Sequence, residues 1–193
     1  MIIENGPFKG AKRNGYACLY CDPPWFFRTR TDFVSDRDAR IHYPVMGADA
    51  IARLPVADLA APDAHLFLWV TGPVLEQSFA VIKAWGFRYS GVGFTWIKTK
   101  RKHVGPVTPA DLHVGLGFTT RKNAEFCLLA RRGNAKRLAK DVREVILSPL
   151  REHSRKPDEA YERIERYCAG PRVELFARAQ RPGWAVYGND PAL

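Results

Sequence analysis

Long apolar runs are missing from this sequence. None approaches the length needed to cross a bilayer, and no signal peptide stands at its start, so a soluble protein in a reducing cytoplasm is expected. Repeats and low-complexity segments are also absent. Cysteine is scarce: Cys18, Cys21, Cys127 and Cys168 are the four. Cys18-x-x-Cys21 has zinc-like spacing, but no second pair follows. Both lie in or beside an apolar, strand-like run, so they read as buried thiols and no metal is expected. Acids are in the minority, with 20 Asp+Glu against 30 Lys+Arg and a formal net charge of +10. So basic a domain suggests a polyanionic partner, nucleic acid above all, with bare solubility as the competing reading.

The 193 residues, 46% of them hydrophobic, suit a single domain of α/β size with a real core. Strands are expected at residues 16–21, 65–70, 87–97, 124–130, 172–177 and around 184–189. Helices are expected over 47–59, with Pro55 a potential break, over 73–85 and over 156–168. Pro73 suits the first turn of the second helix and Gly86 its end. The third begins at Pro157 with Asp158 and Glu159 in its first turn, and Ala160, Tyr161, Ile164, Tyr167 and Cys168 form its apolar stripe. Strands alternating with helices imply a doubly wound, mostly parallel α/β sheet, whose ligands bind beyond the carboxyl ends of the strands. Residues 98–122 read as one long basic loop, and loops of that size in a compact domain are uncommon unless functional or disordered.

One short stretch breaks the pattern. The run "CLYCDPPWFF" (18–27) stops at an acid, two prolines and a tryptophan. Standing before a proline, Asp22 is pushed into extended backbone as it leaves the strand. Pro23 and Pro24 remove two N–H donors but keep their carbonyls. The stretch therefore offers a row of acceptors, the Asp22 carboxylate and the Pro23 carbonyl, beside the flat surfaces of Trp25 and Phe26. Acceptors next to aromatics suit an amino group on a planar ring, such as N6 of adenine. Gripping both its N–H bonds would free the conjugated lone pair, and transfer from a methyl donor held in line would then need mainly positioning. A β-turn with a buried tryptophan is the duller alternative.

The "DPPW" is followed, in order, by "YPVM" (43–46), "WIK" (96–98), "EFCLLARRGN" (125–134), "SRKPDEAYERIE" (154–165), "ELFAR" (174–178) and "GN" (188–189). From about Cys18 to Asn189 this ordered set resembles the family of the eukaryotic messenger-RNA N6-adenosine methyltransferases and their bacterial and phage relatives. The resemblance implies a Rossmann-like class I methyltransferase fold that uses S-adenosylmethionine. It also implies a permuted motif order, the catalytic motif preceding the cofactor strand, which accounts for the lack of a glycine-rich loop after the first strand. Residue by residue, it implies a catalytic motif at Asp22, Pro23, Pro24 and Trp25, with Asp22 and the Pro23 carbonyl holding N6. It places Tyr43 on a loop that closes over the adenine, and Trp96 and Lys98 near the acceptor. It assigns the cofactor to Lys156, Glu174, Arg178 and Asn189. Tyr43 and Trp96 could instead be core aromatics, Lys98 a solvated charge, and Glu174 with Arg178 a structural ion pair. After "ELFAR" the chain departs from the eukaryotic members, with Gln180 and Arg181 where those carry cofactor-touching polar residues.

The acceptor is expected to be nucleic acid, with segments 98–102 and 121–143 meeting its phosphates near the pocket. An adenine inside a duplex must flip out to be reached, or come from a single strand. DNA is favoured over RNA, because the chain reads as a bare catalytic domain without zinc-finger spacing or an appended RNA-binding segment. Compact members of the resembled family are typically bacterial or phage-encoded. The other classes left open are an RNA enzyme, a non-catalytic nucleic-acid-binding paralogue, and an enzyme acting on a small-molecule or protein amine. Both a monomer and a homodimer fit the sequence.

Overall fold

A computed structural model describes residues 1–26, 45–115, 120–151 and 155–188. Tyr43 and Asn189 lie outside the described residues. Seven strands form one sheet: β1 (Tyr16–Cys21), β2 (Ala60–Val70), β3 (Arg88–Thr99), β4 (Ala124–Arg132), β5 (Val145–Pro149), β6 (Arg172–Ala177) and β7 (Trp184–Gly188), in the order β5-β3-β4-β2-β1-β6-β7. β4 is antiparallel to β2 and β3, and every other pairing is parallel. The helices are α1 (Ala48–Ala52), α2 (Leu75–Ala84) and α3 (Asp158–Tyr167).

Side-chain alternation along the central strands divides the core in two. Leu19 and Cys21 of β1, with Leu66, Leu68 and Val70 of β2, face one side, where they pack with Ile51 of α1 and Val81, Ile82 and Trp85 of α2. Cys18 and Tyr20, with Phe67 and Trp69, face the other, against Ala160 and Ile164 of α3. Burying each large apolar side chain contributes about 1.5–3 kcal/mol, so both faces are strongly held. The layering also disposes of the Cys18-x-x-Cys21 spacing. Three residues apart on a strand, the two thiols belong to opposite cores and cannot share an ion. Burial pushes both thiols well above their usual range.

Several boundaries depart from the sequence expectation. The helix expected over 47–59 stops at Ala52, and after Pro55 the chain resumes only as a 3-10 turn, Val56–Asp58. Proline cannot donate the backbone bond that continuation needs. The helix expected from Pro73 begins with a 3-10 turn at Gly72–Val74, and Gly86 ends it at φ +78°. β5 was not expected, since "VILSP" is five residues long with charged flanks of both signs. The segment 98–122 is not structureless: Lys98 and Thr99 complete β3, and Pro109–Asp111 is a 3-10 turn closed by a reciprocal Thr108–Asp111 capping box. Isolated bridges join Thr99 to Leu112 and Gly115 to Lys122.

The basic segment 121–143 is divided rather than gathered. Arg121 and Lys122 precede β4, whereas Arg131 and Arg132 end it beside Arg88 and Ala64, at the amino ends of β3 and β2. The nine-residue strand spans about 30 Å. Lys136, Arg137 and Lys140 follow it at that far end, where the Leu138 N–H bonds the carbonyl of Tyr167, the last residue of α3, whereas Arg143 stands just before β5, which pairs with the carboxyl half of β3. A single cluster beside the pocket is therefore not what folds.

Candidate active site

The sheet delivers four charged side chains to one end, and a fifth joins them from the segment before α3. Asp22 follows β1, Arg178 follows β6 and Lys98 lies near the end of β3, all at the carboxyl ends of parallel strands. β4 runs the other way, so it is its second residue, Glu125, that arrives there, opposite Trp96. Lys156 comes from the segment leading into α3.

Lys156 is the hub. Its Nζ donates to Asp22 Oδ2 at 2.7 Å and stands 3.5 Å from Glu125 Oε2, while the ring of Trp69 lies 5.6 Å away. Lys98 pairs with the other oxygen of Glu125 and stands 4.8 Å from the centroid of the Trp96 ring. Burial alone would lower the Lys156 pKa, but Asp22 and Glu125 outweigh it and raise the group above its usual value. Burial likewise pushes Glu125 up, but Lys156 and then Lys98 reverse this and hold it below the usual carboxylate range. The result is a chain of alternating charge, Asp22, Lys156, Glu125, Lys98.

The "DPPW" backbone is less open than its sequence implies. The Pro23 carbonyl accepts from the Trp25 N–H at 2.8 Å, and the Pro24 carbonyl accepts from the Met46 N–H at 2.7 Å. The expected row of acceptors is partly taken up within the chain, which turns at Pro23 and then pairs Trp25 with Met46. Pro23 retains one lone pair. Trp25 is only 6% exposed, and its indole N–H donates to the Trp69 carbonyl at 2.8 Å, which anchors the turn to β2.

On the α3 face, Glu174 of β6 pairs across the sheet with Tyr20 and accepts from the Tyr161 hydroxyl at 2.9 Å. Burial pushes its carboxyl up to about 7; Tyr161, Arg181 and Arg178 pull the other way, and Asp22 adds to the rise. Glu174 is thus mid-strand and buried. Arg181 stacks on the Tyr161 ring at 3.8 Å. Of the residues singled out in the sequence, the structure gathers Asp22, Lys98 and Lys156 through Glu125, and places Glu174 and Arg178 beside them. Trp96 lies beneath, 2% exposed, its indole N–H on the Ser148 carbonyl at 3.1 Å. Glu125 and Tyr161 were missed. An acid leading an apolar strand is the mirror of an acid ending one, and "EFCLLA" carried that signal for Glu125.

Residues 16–190 match the MT-A70 family model. Among similar proteins, the type II methyltransferase M.MunI of a Mycoplasma species is 28% identical over 94% of this chain and 80% of its own length. The N(6)-adenosine-methyltransferase MT-A70-like protein of Drosophila melanogaster is 31% identical over 90% of this chain and 26% of its own. The human N(6)-adenosine-methyltransferase catalytic subunit METTL3 is 30% identical over 90% of this chain and 28% of its own. The chain thus spans about a quarter of these eukaryotic relatives. The seven-stranded mixed sheet agrees with a Rossmann-like methyltransferase fold.

Proposed function

The chain belongs to the MT-A70 family, whose methyltransferases depend on S-adenosylmethionine, and from that membership we propose that it methylates N6 of adenine in nucleic acid, DNA in particular. The observation that carries the reading is the Asp22–Lys156–Glu125 chain at the carboxyl end of β1. When bound, S-adenosylmethionine supplies an electrophilic methyl group. The donor set here fits such a molecule: Lys156 and Arg178 for its carboxylate, Glu174 for its ribose hydroxyls.

The chain's own residues do the positioning. Lys156 takes up one oxygen of Asp22 and fixes the plane of the carboxylate, which leaves the other oxygen for one N–H of the adenine amino group. The remaining lone pair of the Pro23 carbonyl accepts the second. With both hydrogens held, the nitrogen lone pair turns out of conjugation, and Asp22 stands ready for the proton that N6 sheds. These contacts are worth most where water is excluded and nothing need reorganise.

For DNA, the support is the extent of likeness to the type II methyltransferase, which this chain matches over most of both lengths. The eukaryotic N(6)-adenosine-methyltransferases keep an RNA acceptor as the second reading. Matched single-stranded DNA and RNA oligonucleotides, competed for labelled S-adenosylmethionine and digested to nucleosides, discriminate the two. N6-methyladenine in DNA at the higher kcat/KM is expected. Equal or better use of RNA refutes the DNA assignment, and label outside adenine refutes the whole reading. In the same assay Asp22→Ala should retain the wild-type circular dichroism spectrum and under a few per cent of the activity.

A further inference from the structure

One carboxylate at the site end of the sheet serves three guanidiniums. Asp158, in the first turn of α3, pairs with Arg151, with Arg181 at 3.4 Å and with Arg155 at 3.5 Å. The Asp158 side chain is 43% exposed. Pairs this exposed contribute about 0–1 kcal/mol each, so stability does not account for three arginines around one acid.

Arg151 also lines a groove of about 370 Å³ between the end of β5 and the start of α3, shared with Arg101, Ser148, Leu150, Pro157 and the acids Asp158 and Glu159. The Ser148 hydroxyl is buried there with no hydrogen-bond partner among the described residues. The groove adjoins the site: Pro157 follows Lys156, which holds Asp22. Its walls set proline and leucine beside two arginines, and both of its carboxylates are already paired, Asp158 as above and Glu159 with Arg163. That combination suits a nucleotide, with a base or sugar against proline and leucine and a phosphate on arginine.

We propose that this groove seats the nucleotide next to the target adenine, its phosphate taken by Arg101 and Arg151. The inference rests on the reading of a polynucleotide acceptor. An arginine fork matches phosphate oxygens in pairs, which a lysine ammonium does not. When phosphate takes Arg151, Asp158 keeps Arg155 and Arg181, so the first turn of α3 stays tethered. The substrate strand then leaves the pocket over β5 and α3. The belt of Lys136, Arg137 and Lys140, about 30 Å away at the other end of the sheet, takes no part in binding a short acceptor.

The test removes equal charge at the two ends. Arg101→Ala and Arg151→Ala are compared with Lys136→Ala and Arg137→Ala on a short single-stranded oligonucleotide containing one adenine, over a series of salt concentrations. Each groove substitution should raise the oligonucleotide KM about tenfold and reduce the salt slope by about one counterion. The far-end substitutions should leave KM within about twofold, and the Kd for S-adenosylmethionine should hold in all four. Arg101 is exposed, so Arg101→Ala decides the matter if Arg151→Ala fails to fold. Groove variants with unchanged KM, or equal losses at both ends, overturn the proposal while leaving adenine methylation standing. A wild-type protein that methylates no oligonucleotide overturns both.

Discussion

Replacing Lys156 with methionine separates the charge chain from the scaffold. Methionine keeps the length and apolar contact of the stem and deletes only the ammonium. Asp22 and Glu125 then face each other with Lys98 paired to Glu125 and Arg178 nearby as the remaining counter-charges. Removing one partner of a buried ion pair costs about 3–5 kcal/mol, and the partial exposure of Asp22, at 19%, puts this case near the lower limit. At about 2–4 °C per kcal/mol for a chain of this size, Tm should fall by about 6–12 °C at pH 7.

The pH dependence carries the sharper signature. In the wild type Glu125 is held below its usual value, so its contribution is present above the unfolded pKa and lost as pH falls through the folded one. In Lys156→Met burial dominates and the carboxyl moves up. Its contribution is then largest in acid and lost as pH rises. The variant should therefore be more stable at pH 5 than at pH 7, the reverse of the wild-type trend from this group, and Glu125→Gln in the same background should recover part of the loss. Urea unfolding at pH 5, 6 and 7 on the four proteins of the cycle measures this. A loss below about 1 kcal/mol, or an unchanged pH trend, refutes the argument that Lys156 neutralises two buried acids.

Two further outcomes follow from neighbouring groups. Glu174, with its carboxyl raised to about 7 by burial, should make S-adenosylmethionine bind more tightly as pH climbs from 6 to 8. The unliganded protein should lose stability over the window from about 4.5 to about 7, because the native state holds the proton more firmly. Glu174→Gln should flatten both, by calorimetry and thermal melting; identical profiles in the two proteins would discard the role of that carboxylate. Trp25→Phe removes the indole bond to the Trp69 carbonyl. It should cost about 1 kcal/mol of stability and lower kcat more than KM, and an equal fall in neither would show that the turn is held without it.

The sequence made some of this legible and concealed the rest for identifiable reasons. Asp22 was visible because proline cannot continue a strand, so an acid there had to mark an end. The doubly wound sheet was visible in the strands alternating with helices along the chain. The acid that opens "EFCLLA" marked Glu125 as unusual, but it reaches the site only because β4 runs antiparallel to β2, which the local pattern does not record. The run 121–143 misled for the same reason: residues adjacent in the chain lie at opposite ends of a strand about 30 Å long. The Pro23 carbonyl misled because its donor, the Trp25 N–H, lies two residues on in a turn whose shape depends on pairing with Met46.

The position of β1 between β2 and β6 bears on the order of events during synthesis. β2 begins 39 residues after β1 ends and can pair early, but β6 begins about 150 residues after it. At about 5–20 residues per second, one edge of the most buried strand stays open for about 8–30 s while the chain emerges. Asp22 meets Lys156 only near the end of that interval. A truncated product ending before Arg172 would keep the "DPPW" turn and carry a bare strand edge beside it, a ready template for pairing with other unfinished chains.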